Sequence, residues 1–221
     1  MTDPKDILRT YWGFEHFRES QLEIIDSVLK DQNTLALLPT GGGKSICFQI
    51  PGLILDGVTL VVTPLIALMV DQVNELKNKN IKAVAIHGGL SPREIDILLD
   101  NCIYGDIKFL YVSPERLTSE LFLARVEKMI ISLFVIDEAH CISQWGHDFR
   151  PYYLKIKDFM KLFPIAKYIA LTASATEEVK KDIINQLDME DPKVFQNSYV
   201  RSNLSFVVFK EENKLQKVFE I

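Results

Sequence analysis

Short apolar runs alternate with longer amphipathic segments along most of this chain. The runs lack the polar alternation of a half-exposed sheet, which indicates strands buried on both faces. Strands are predicted over residues 34–38, 58–63, 83–87, 108–112, 132–137 and 168–172. Helices are predicted between and after them, over residues 65–79, 91–99, 119–128, 153–163 and 176–187. This alternation predicts an α/β fold with a mostly parallel sheet and helices on both faces.

The segments that flank this regular part carry interrupted patterns. Ile7–Leu29 spaces its apolar residues as two helices broken near Gly13. The helix that begins at Lys44 meets Pro51, which should bend or interrupt it at Ile50, because proline lacks an amide proton and clashes with the preceding turn. Beyond the last helix the pattern predicts a strand at Leu204–Phe209 and the first turns of a helix at Lys214–Ile221.

Composition and charge narrow the class of protein. A chain of 221 residues with 48% hydrophobic and 25% charged residues is long enough for one large globular core. No apolar run approaches a membrane span and the N-terminus lacks the apolar core of a signal peptide, so we expect an intracellular protein with no membrane partner. The net charge of -5 disfavours broad non-specific affinity for nucleic acid, so any such site must be local.

The cysteines indicate neither disulfides nor a metal site. They are odd in number and scattered, without the paired spacing of a disulfide framework or a zinc cluster. We therefore expect reduced and mostly buried thiols, and no zinc bound by this part of the protein. The residues concerned are Cys47, Cys102 and Cys141.

A glycine-rich segment between a predicted strand and a predicted helix carries the first candidate chemistry. Its residues are Thr40, Gly41, Gly42, Gly43, Lys44 and Ser45. Consecutive glycines permit positive φ angles, so that backbone N–H groups converge on phosphate oxygens at a helix N-terminus. Lys44 would supply a charge for the β- and γ-phosphates, and Ser45 a hydroxyl for Mg²⁺. The full phosphate-loop pattern has glycine where this chain has Leu38; a glycine-rich turn with a solvated lysine is the alternative.

An acidic pair at the end of the predicted strand 132–137 is the second candidate. Asp137 stands where nucleotide hydrolases hold Mg²⁺, and Glu138 could orient or deprotonate the attacking water. His140 follows two residues later. The alternative is a polar strand end without chemistry, which a phosphate loop on the same edge of the sheet disfavours.

Two of these motifs resemble those of a known family. Thr40–Ser45 and Asp137–His140 resemble motifs I and II of superfamily 2 helicases, and Cys141–Pro151 is similar to the aromatic-rich loop of RecQ-family DNA helicases. Gly13–Gln21 resembles the family's motif 0. That resemblance implies an adenine site. Phe14 would stack on the base, the Gln21 amide would hydrogen-bond to its edge, and Arg18 would be a supporting polar contact. By periodicity alone, Phe14 and Phe17 fit a helix core.

Further matches imply a DNA-contacting surface. Thr63–Leu65 and Ser113–Arg116 resemble motifs Ia and Ib, which contact the nucleic-acid backbone. Leu171–Ala175 resembles motif III, which links nucleotide state to DNA, with Ser174 in place of the usual threonine. Aromatic residues interleaved with a cation in a polar loop also have the chemistry for base stacking and phosphate contact on single-stranded DNA. The alternative is that Trp145 packs on a neighbouring surface. The implied DNA-binding and coupling residues are Thr63, Pro64, Ser113, Arg116, Trp145, His147, Phe149, Arg150 and Thr172.

The resemblance implies a RecA-like P-loop domain and a function. The expectation is the N-terminal motor lobe of an ATP-dependent, 3′-to-5′ DNA helicase for repair and recombination, a monomer that uses ATP and Mg²⁺. The implied catalytic residues are Lys44, Asp137, Glu138 and His140, and the implied metal ligands are Ser45 and Asp137. The expected DNA partners are single strands and duplex junctions. The protein would act in the cytoplasm or nucleoid of a bacterium, or in the nucleus of a eukaryote.

The resemblance also implies that the chain is part of a longer protein. We expect residues 1–203 to form the lobe and residues 204–221 to begin a linker or second RecA-like lobe. Motor ATPases need an arginine finger, which in this family comes from the second lobe. We therefore expect weak nucleotide binding, slow hydrolysis and no unwinding by this chain alone. A P-loop phosphotransferase and a regulatory nucleotide-binding module remain the alternatives.

Overall fold

Seven strands and eight helices organise the part of the chain that the computed structural model describes, residues 2–198 and 204–205. The strands are β1 Thr34–Leu37, β2 Val58–Val62, β3 Ala83–Ile86, β4 Phe109–Val112, β5 Ile131–Ile136, β6 Lys167–Thr172 and β7 Lys193–Gln196. The helices are α1 Pro4–Trp12, α2 Gln21–Leu29, α3 Lys44–Ile54, α4 Ile66–Asn78, α5 Pro92–Tyr104, α6 Glu120–Val126, α7 Ile156–Met160 and α8 Glu177–Gln186.

All seven strands belong to one sheet, in the order β3-β4-β2-β5-β6-β1-β7, and every pairing is parallel. The predicted α/β fold with a parallel sheet is therefore confirmed. β5, which leads into Asp137, is central. The resemblance to RecA-like P-loop domains implies a glycine loop at the centre of the sheet; here it follows β1, next to the edge, so that expectation is wrong. Because every strand runs the same way, all the loops that follow strands meet at one edge.

Helices cover both faces of the sheet. On one face α2, α3 and α4 bury Ile24, Phe48 and Val73 against alternate strand residues. On the other face α5 to α8 bury side chains such as Leu99 and Phe159. Because successive strand residues point to opposite faces, both faces of each inner strand must be apolar, which explains the continuous runs in the sequence.

Local signals set several helix boundaries. The α5 N-terminus is the predicted capping box: the side chain of Ser91 accepts from the Glu94 N–H, and the Glu94 carboxylate accepts from the Ser91 N–H. α1 ends at Gly13, which has a φ of 69°. Of the predicted bend or interruption at Ile50, the interruption is wrong, because α3 continues through Pro51 to Ile54. Only one intrahelical hydrogen bond is lost at a proline, and α3 is fully buried around this residue.

Other boundaries differ from prediction. The predicted helix 119–128 is shortened to α6 and follows a 3₁₀ turn at Pro114–Thr118. The predicted helix 153–163 is shortened to α7 and follows a 3₁₀ turn at Pro151–Lys155. β7 was not predicted. The predicted strand Leu204–Phe209 and helix Lys214–Ile221 lie outside the described residues, apart from positions 204 and 205, so the boundary at 203 stays a prediction.

The thiols agree with expectation. All three cysteines are unpaired and buried, as predicted. Within residues 2–198 and 204–205, none of the helices combines the length and apolar character needed to cross a membrane.

Candidate active site

The glycine loop between β1 and α3 has the backbone that a phosphate site requires. Gly41 and Gly43 have φ angles of 79° and 78°, in the left-handed region, as the glycine run predicted. Between them, a Cβ on Gly42 would lie 2.8 Å from a backbone oxygen. Lys44 and Ser45 then begin α3, whose first N–H groups have no partner inside the helix. The loop can therefore receive an anion at this helix start.

Asp137 lies directly after β5 and is almost fully buried. Its carboxylate oxygens accept hydrogen bonds from the Glu138 N–H (3.0 Å) and from Oγ1 of Thr63 (3.3 Å). Burial raises the pKa of Asp137 to about 6; the charge of Glu138 adds to the rise, and Lys44 opposes it. A buried carboxylate facing a lysine and lacking a full counter-charge suits a hard divalent cation.

Thr63 requires a correction. Its resemblance to motif Ia placed it on the DNA-contacting surface, but its side chain is fully buried and donates to Asp137. The reason is topological, since β2 and β5 are neighbours and the Asp137 N–H donates to the carbonyl of Val62. Thr63 therefore orients the buried carboxylate, and its side chain offers no exposed surface to DNA here. The coupling role that the resemblance implies for it stays a prediction.

Glu138 occupies a strained backbone position beside His140. Its φ and ψ are both 47°, the left-handed conformation that a residue with a Cβ rarely adopts. Oε2 of Glu138 lies 3.3 Å from Nδ1 of His140. That hydrogen bond lowers the pKa of Glu138, and Lys44 contributes in the same direction against the effect of burial. Glu138 is therefore ionised at neutral pH and can accept a proton.

His140 connects three parts of the site. Its Nδ1 lies 2.8 Å from Oγ1 of Thr172, at the end of β6, and close to Glu138. Its ring stacks on that of His147 in the aromatic loop, with centroids 4.9 Å apart and planes 14° from parallel. The acidic pair, the segment resembling motif III and the aromatic loop thus meet at one buried imidazole.

The segment resembling motif 0 contacts the glycine loop. Oε1 of Gln21 accepts from the Arg18 N–H (2.8 Å), and its Nε2 donates to the carbonyl of Gly43 (3.2 Å). The Arg18 guanidinium donates to the carbonyl of Gly41. Phe14 leaves half of its surface exposed, so it is available for stacking and is not a core residue, whereas Phe17 packs against the core.

Two residues that hold this segment in place were not identified from the sequence. Ser20, with a φ of 64°, donates through Oγ to Oδ1 of Asn197 (2.8 Å), just beyond β7. Nδ2 of Asn197 donates to the carbonyl of Glu19 (3.4 Å), and its N–H to that of Leu37 (3.1 Å). Asn197 therefore clamps residues 19–20 to the end of β1, and no local pattern could reveal a contact across 177 positions.

Loss of this clamp should weaken nucleotide binding without disabling the chemistry. We expect Asn197→Ala to raise the Kd for ATP several-fold, because about 1 kcal/mol is typical of one lost hydrogen bond, and to leave single-turnover hydrolysis at saturation unchanged. Fluorescent-nucleotide titration measures the first and quenched-flow the second. Asn101→Ala, exposed on α5, is the matched control. Equal affinities for the two variants would contradict the positioning role of Asn197.

The aromatic loop and a neighbouring cleft form the surface next to this site. Trp145 is 80% exposed, so it does not pack on a neighbouring surface. Arg150 donates to the carbonyl of Pro64 (3.2 Å) and pairs with Asp148 (3.2 Å). The structure thus brings segments resembling motifs Ia and Ib together with the loop, around a cleft of about 410 Å³ lined by Pro64, Ile66, Gly88, Ser113, Glu115, Arg116 and Arg150.

Tyr153 is a further residue that sequence reasoning missed. Its side chain is fully buried, and its hydroxyl donates to the backbone carbonyl of Asp137 (2.8 Å). Tyr153 lies just beyond the aromatic loop, and the Arg150 N–H donates to the carbonyl of Cys141. The two ends of the loop are therefore joined to each other, and Tyr153 ties them to the backbone of Asp137.

The parallel sheet, the glycine loop and the acidic pair define the class of P-loop proteins that bind a nucleoside phosphate at the carboxyl edge of the sheet. Residues 18–182 match the DEAD/DEAH box helicase family, and the chain belongs to this family. The resemblance seen in the sequence is confirmed.

Relatives and solved structures agree with that assignment. The chain is 43% identical to the probable ATP-dependent DNA helicase RecS of Bacillus subtilis, over 99% of this chain and 44% of the relative. It is 46% identical to the ATP-dependent DNA helicase RecQ of the same organism, over 95% of this chain and 36% of the relative. The chain thus spans less than half the length of these relatives. The solved Hef helicase domain of Pyrococcus furiosus has a TM-score of 0.61 at 25% identity, over 81% of this chain and 38% of that one.

Proposed function

We propose that this chain is the ATP-binding motor lobe of a RecQ-like, 3′-to-5′ DNA helicase. The observation that carries the proposal is the junction at His140, where the acidic pair, Thr172 and the aromatic loop are in direct contact. A phosphate site alone serves many chemistries, but a phosphate site joined to an exposed aromatic loop suits a protein that couples hydrolysis to nucleic acid.

The nucleotide would lie across the loop edge of the sheet. Phe14 would stack on adenine while Gln21 and Arg18 support the glycine loop that they already contact. The loop N–H groups and Lys44 would hold the β- and γ-phosphates.

Two residues would hold Mg²⁺, the hydroxyl of Ser45 and the carboxylate of Asp137. Both are hard oxygen donors, and burial, which raises the pKa of Asp137, together with the charge of Glu138 favours a cation beside this carboxylate. When bound, Mg²⁺ neutralises charge on the phosphate oxygens. Thr63 and Tyr153 hold the Asp137 carboxylate and backbone in place for that role.

Glu138 would orient the attacking water and accept its proton. Its ionised carboxylate is paired with His140, so a change in the loop that moves His147 reaches the base through a single imidazole. Thr172 shares the same ring nitrogen. DNA bound at the loop would in this way alter the orientation of the water-activating group.

The DNA would contact Trp145 by base stacking. Its phosphates would contact the cleft that Arg150 lines at the end of the same loop. Arg116 and Arg150 supply cations there, and Ser113 and Pro64 line the same cleft. His147 and Phe149 belong to the same loop. The net charge of -5 is compatible with this surface because the cations are local.

The remaining parts of the proposal concern the whole protein. A second RecA-like lobe would supply the arginine finger for hydrolysis. Unwinding of junctions during repair and recombination, by a monomer, would then require that lobe, and would take place in whichever compartment holds the DNA.

Single-strand binding and the fate of the γ-phosphate test the proposal. We expect Trp145→Ala to weaken binding of an oligo-dT strand by about 5- to 150-fold, since stacking contributes roughly 1–3 kcal/mol per base. Fluorescence anisotropy measures this, and Tyr104→Ala, an equally exposed aromatic on α5, serves as the control. With γ-labelled ATP and protein in excess, the label should appear as inorganic phosphate, faster when DNA is present. Label on another acceptor, or equal DNA affinity for both variants, would contradict the proposal.

A further inference from the structure

We infer that His140, Cys141 and Asp148 form a binding site for a thiophilic divalent cation such as Zn²⁺. One ligand atom of each residue lies within 4.8 Å of the other two. Nitrogen, sulfur and carboxylate oxygen are the donors that zinc takes in proteins. The site lies between the acidic pair and the aromatic loop, and it is separate from the Mg²⁺ ligands proposed above.

The spacing of these atoms is close to that of an occupied site. In a tetrahedral zinc site, with bonds of about 2.0 to 2.3 Å, neighbouring ligand atoms are roughly 3.5 Å apart. Sγ of Cys141 and Oδ2 of Asp148 are already 3.7 Å apart. The His140 ligand atom lies within 4.8 Å of both. Side-chain rotations that shorten these separations by about 1 Å would complete the coordination of a cation by all three residues.

The hydrogen bonds of His140 leave one ring nitrogen for a metal. Nδ1 is engaged by Thr172 and by the carboxylate of Glu138. If Nδ1 carries the proton toward these acceptors, Nε2 has the free lone pair. A histidine that donates one ring N–H to a carboxylate and ligates through the other nitrogen is the usual arrangement in metal sites.

The surroundings of the site give a metal ion access to it, and they also place a competing cation beside Asp148. His140 and Cys141 are buried, but Asp148 is half-exposed, and an open cavity of about 470 Å³ reaches His140 beside Gly146 and His147. The guanidinium of Arg150 lies 3.2 Å from the same Asp148 oxygen. A metal ion must displace this ion pair, which predicts reversible binding and not a permanently filled structural site.

Binding of the metal would release a proton. Burial raises the pKa of Cys141 to about 12, with the charge of Asp148 adding to it, so the free protein carries a thiol. The cation forms its sulfur bond as the S–H bond breaks, and the proton leaves to solvent without any change of oxidation state. Metal affinity should consequently rise with pH.

Such an ion would fix the aromatic loop to His140. On the proposed function, this would keep the loop in its DNA-free position and suppress the stimulation of hydrolysis by DNA, while nucleotide binding persists. The cysteine spacing did not indicate this site, because two ligands are adjacent in sequence and the third is an aspartate in the loop.

Co²⁺ titration of the 221-residue chain tests the site without any activity measurement. We expect one equivalent of Co²⁺ to give d–d bands of tetrahedral intensity and a thiolate-to-cobalt absorption in the near ultraviolet, with Zn²⁺ displacing both. Cys141→Ser should abolish the thiolate band, and Asp148→Asn should weaken Co²⁺ binding by about 10-fold. Arg150→Gln should strengthen it by removing the competing cation. Cys102→Ser, buried in α5, is the control.

The outcomes separate this inference from the proposed function. A thiolate band that persists in Cys141→Ser, or no band in the unmodified chain, would overturn the metal site and leave the helicase proposal untouched. An unchanged affinity for Co²⁺ in Asp148→Asn would also contradict the metal site. This variant keeps the test valid if Cys141→Ser misfolds, because residue 148 is half-exposed and a change there should leave the fold intact. Inhibition by Zn²⁺ that is lost in Asp148→Asn would extend the inference to regulation.

Discussion

Glu138→Gln is expected to reduce single-turnover ATP hydrolysis by about 100- to 1,000-fold, because the amide cannot accept a proton from the attacking water. Nucleotide affinity should change little, since in the proposed site Lys44 and the glycine loop would hold the phosphates. The substitution keeps the size of the side chain, and its amide can still accept a hydrogen bond from His140, which lies 3.3 Å from the carboxylate. Loss of turnover with retained binding therefore isolates proton acceptance.

The experiment uses γ-labelled ATP with protein in excess, so that slow turnover by the chain alone remains measurable. Glu127→Gln, an exposed change at the end of α6, controls for the loss of one charge. Turnover within threefold of the unmodified chain would exclude Glu138 as the base. A parallel loss of nucleotide affinity would instead indicate that Glu138 mainly maintains the loop.

Asp137→Asn is expected to act in opposite directions on activity and stability. Hydrolysis should fall by at least 100-fold, because the amide is a poor substitute for a metal-binding carboxylate. The free protein, however, should become more stable at pH 8. The pKa of Asp137 is about 6 when folded, against about 3.9 unfolded, so the ionised form costs up to about 3 kcal/mol at high pH.

The sign of this effect sets the pH window. A carboxyl whose folded pKa is raised contributes its stability fully below the unfolded value, and that contribution is lost as pH rises through about 6. The variant should therefore be about 1–3 kcal/mol more stable at pH 8, and the gain should vanish near pH 4. Urea unfolding at several pH values, without nucleotide or Mg²⁺, measures it. Asp71→Asn, exposed on α4, is the control; a pH-independent difference for Asp137→Asn would contradict the argument.

The strands were predictable because burial on both faces leaves a continuous apolar run, as in β2 and β5. β7 was missed because only Phe195 is buried in it; an edge strand that packs one residue has no such pattern. α7 was predicted too long, since amphipathic spacing cannot distinguish a 3₁₀ turn from the α-helix that follows it.

The chemical groups of the site were predictable, but their connections were not. The glycine loop and the acidic pair have local signatures in which spacing reflects a mechanism. The contacts of Asn197 with residue 20 and of Tyr153 with Asp137 join distant segments, and a single hydrogen bond leaves no periodicity in the sequence. The burial of Thr63 likewise depends on strand order, which the pattern of elements does not determine.

The left-handed backbone conformation of Glu138 would affect the outcome of laboratory selection for stability. Six described non-glycine residues have positive φ, and four of them are Asp or Asn, which tolerate it; Ser20 and Glu138 are the exceptions, and both belong to the site. The left-handed conformation costs roughly 1–2 kcal/mol at residue 138. Selection for heat resistance alone would therefore favour glycine or asparagine there, and would recover stable proteins that lack the proposed base.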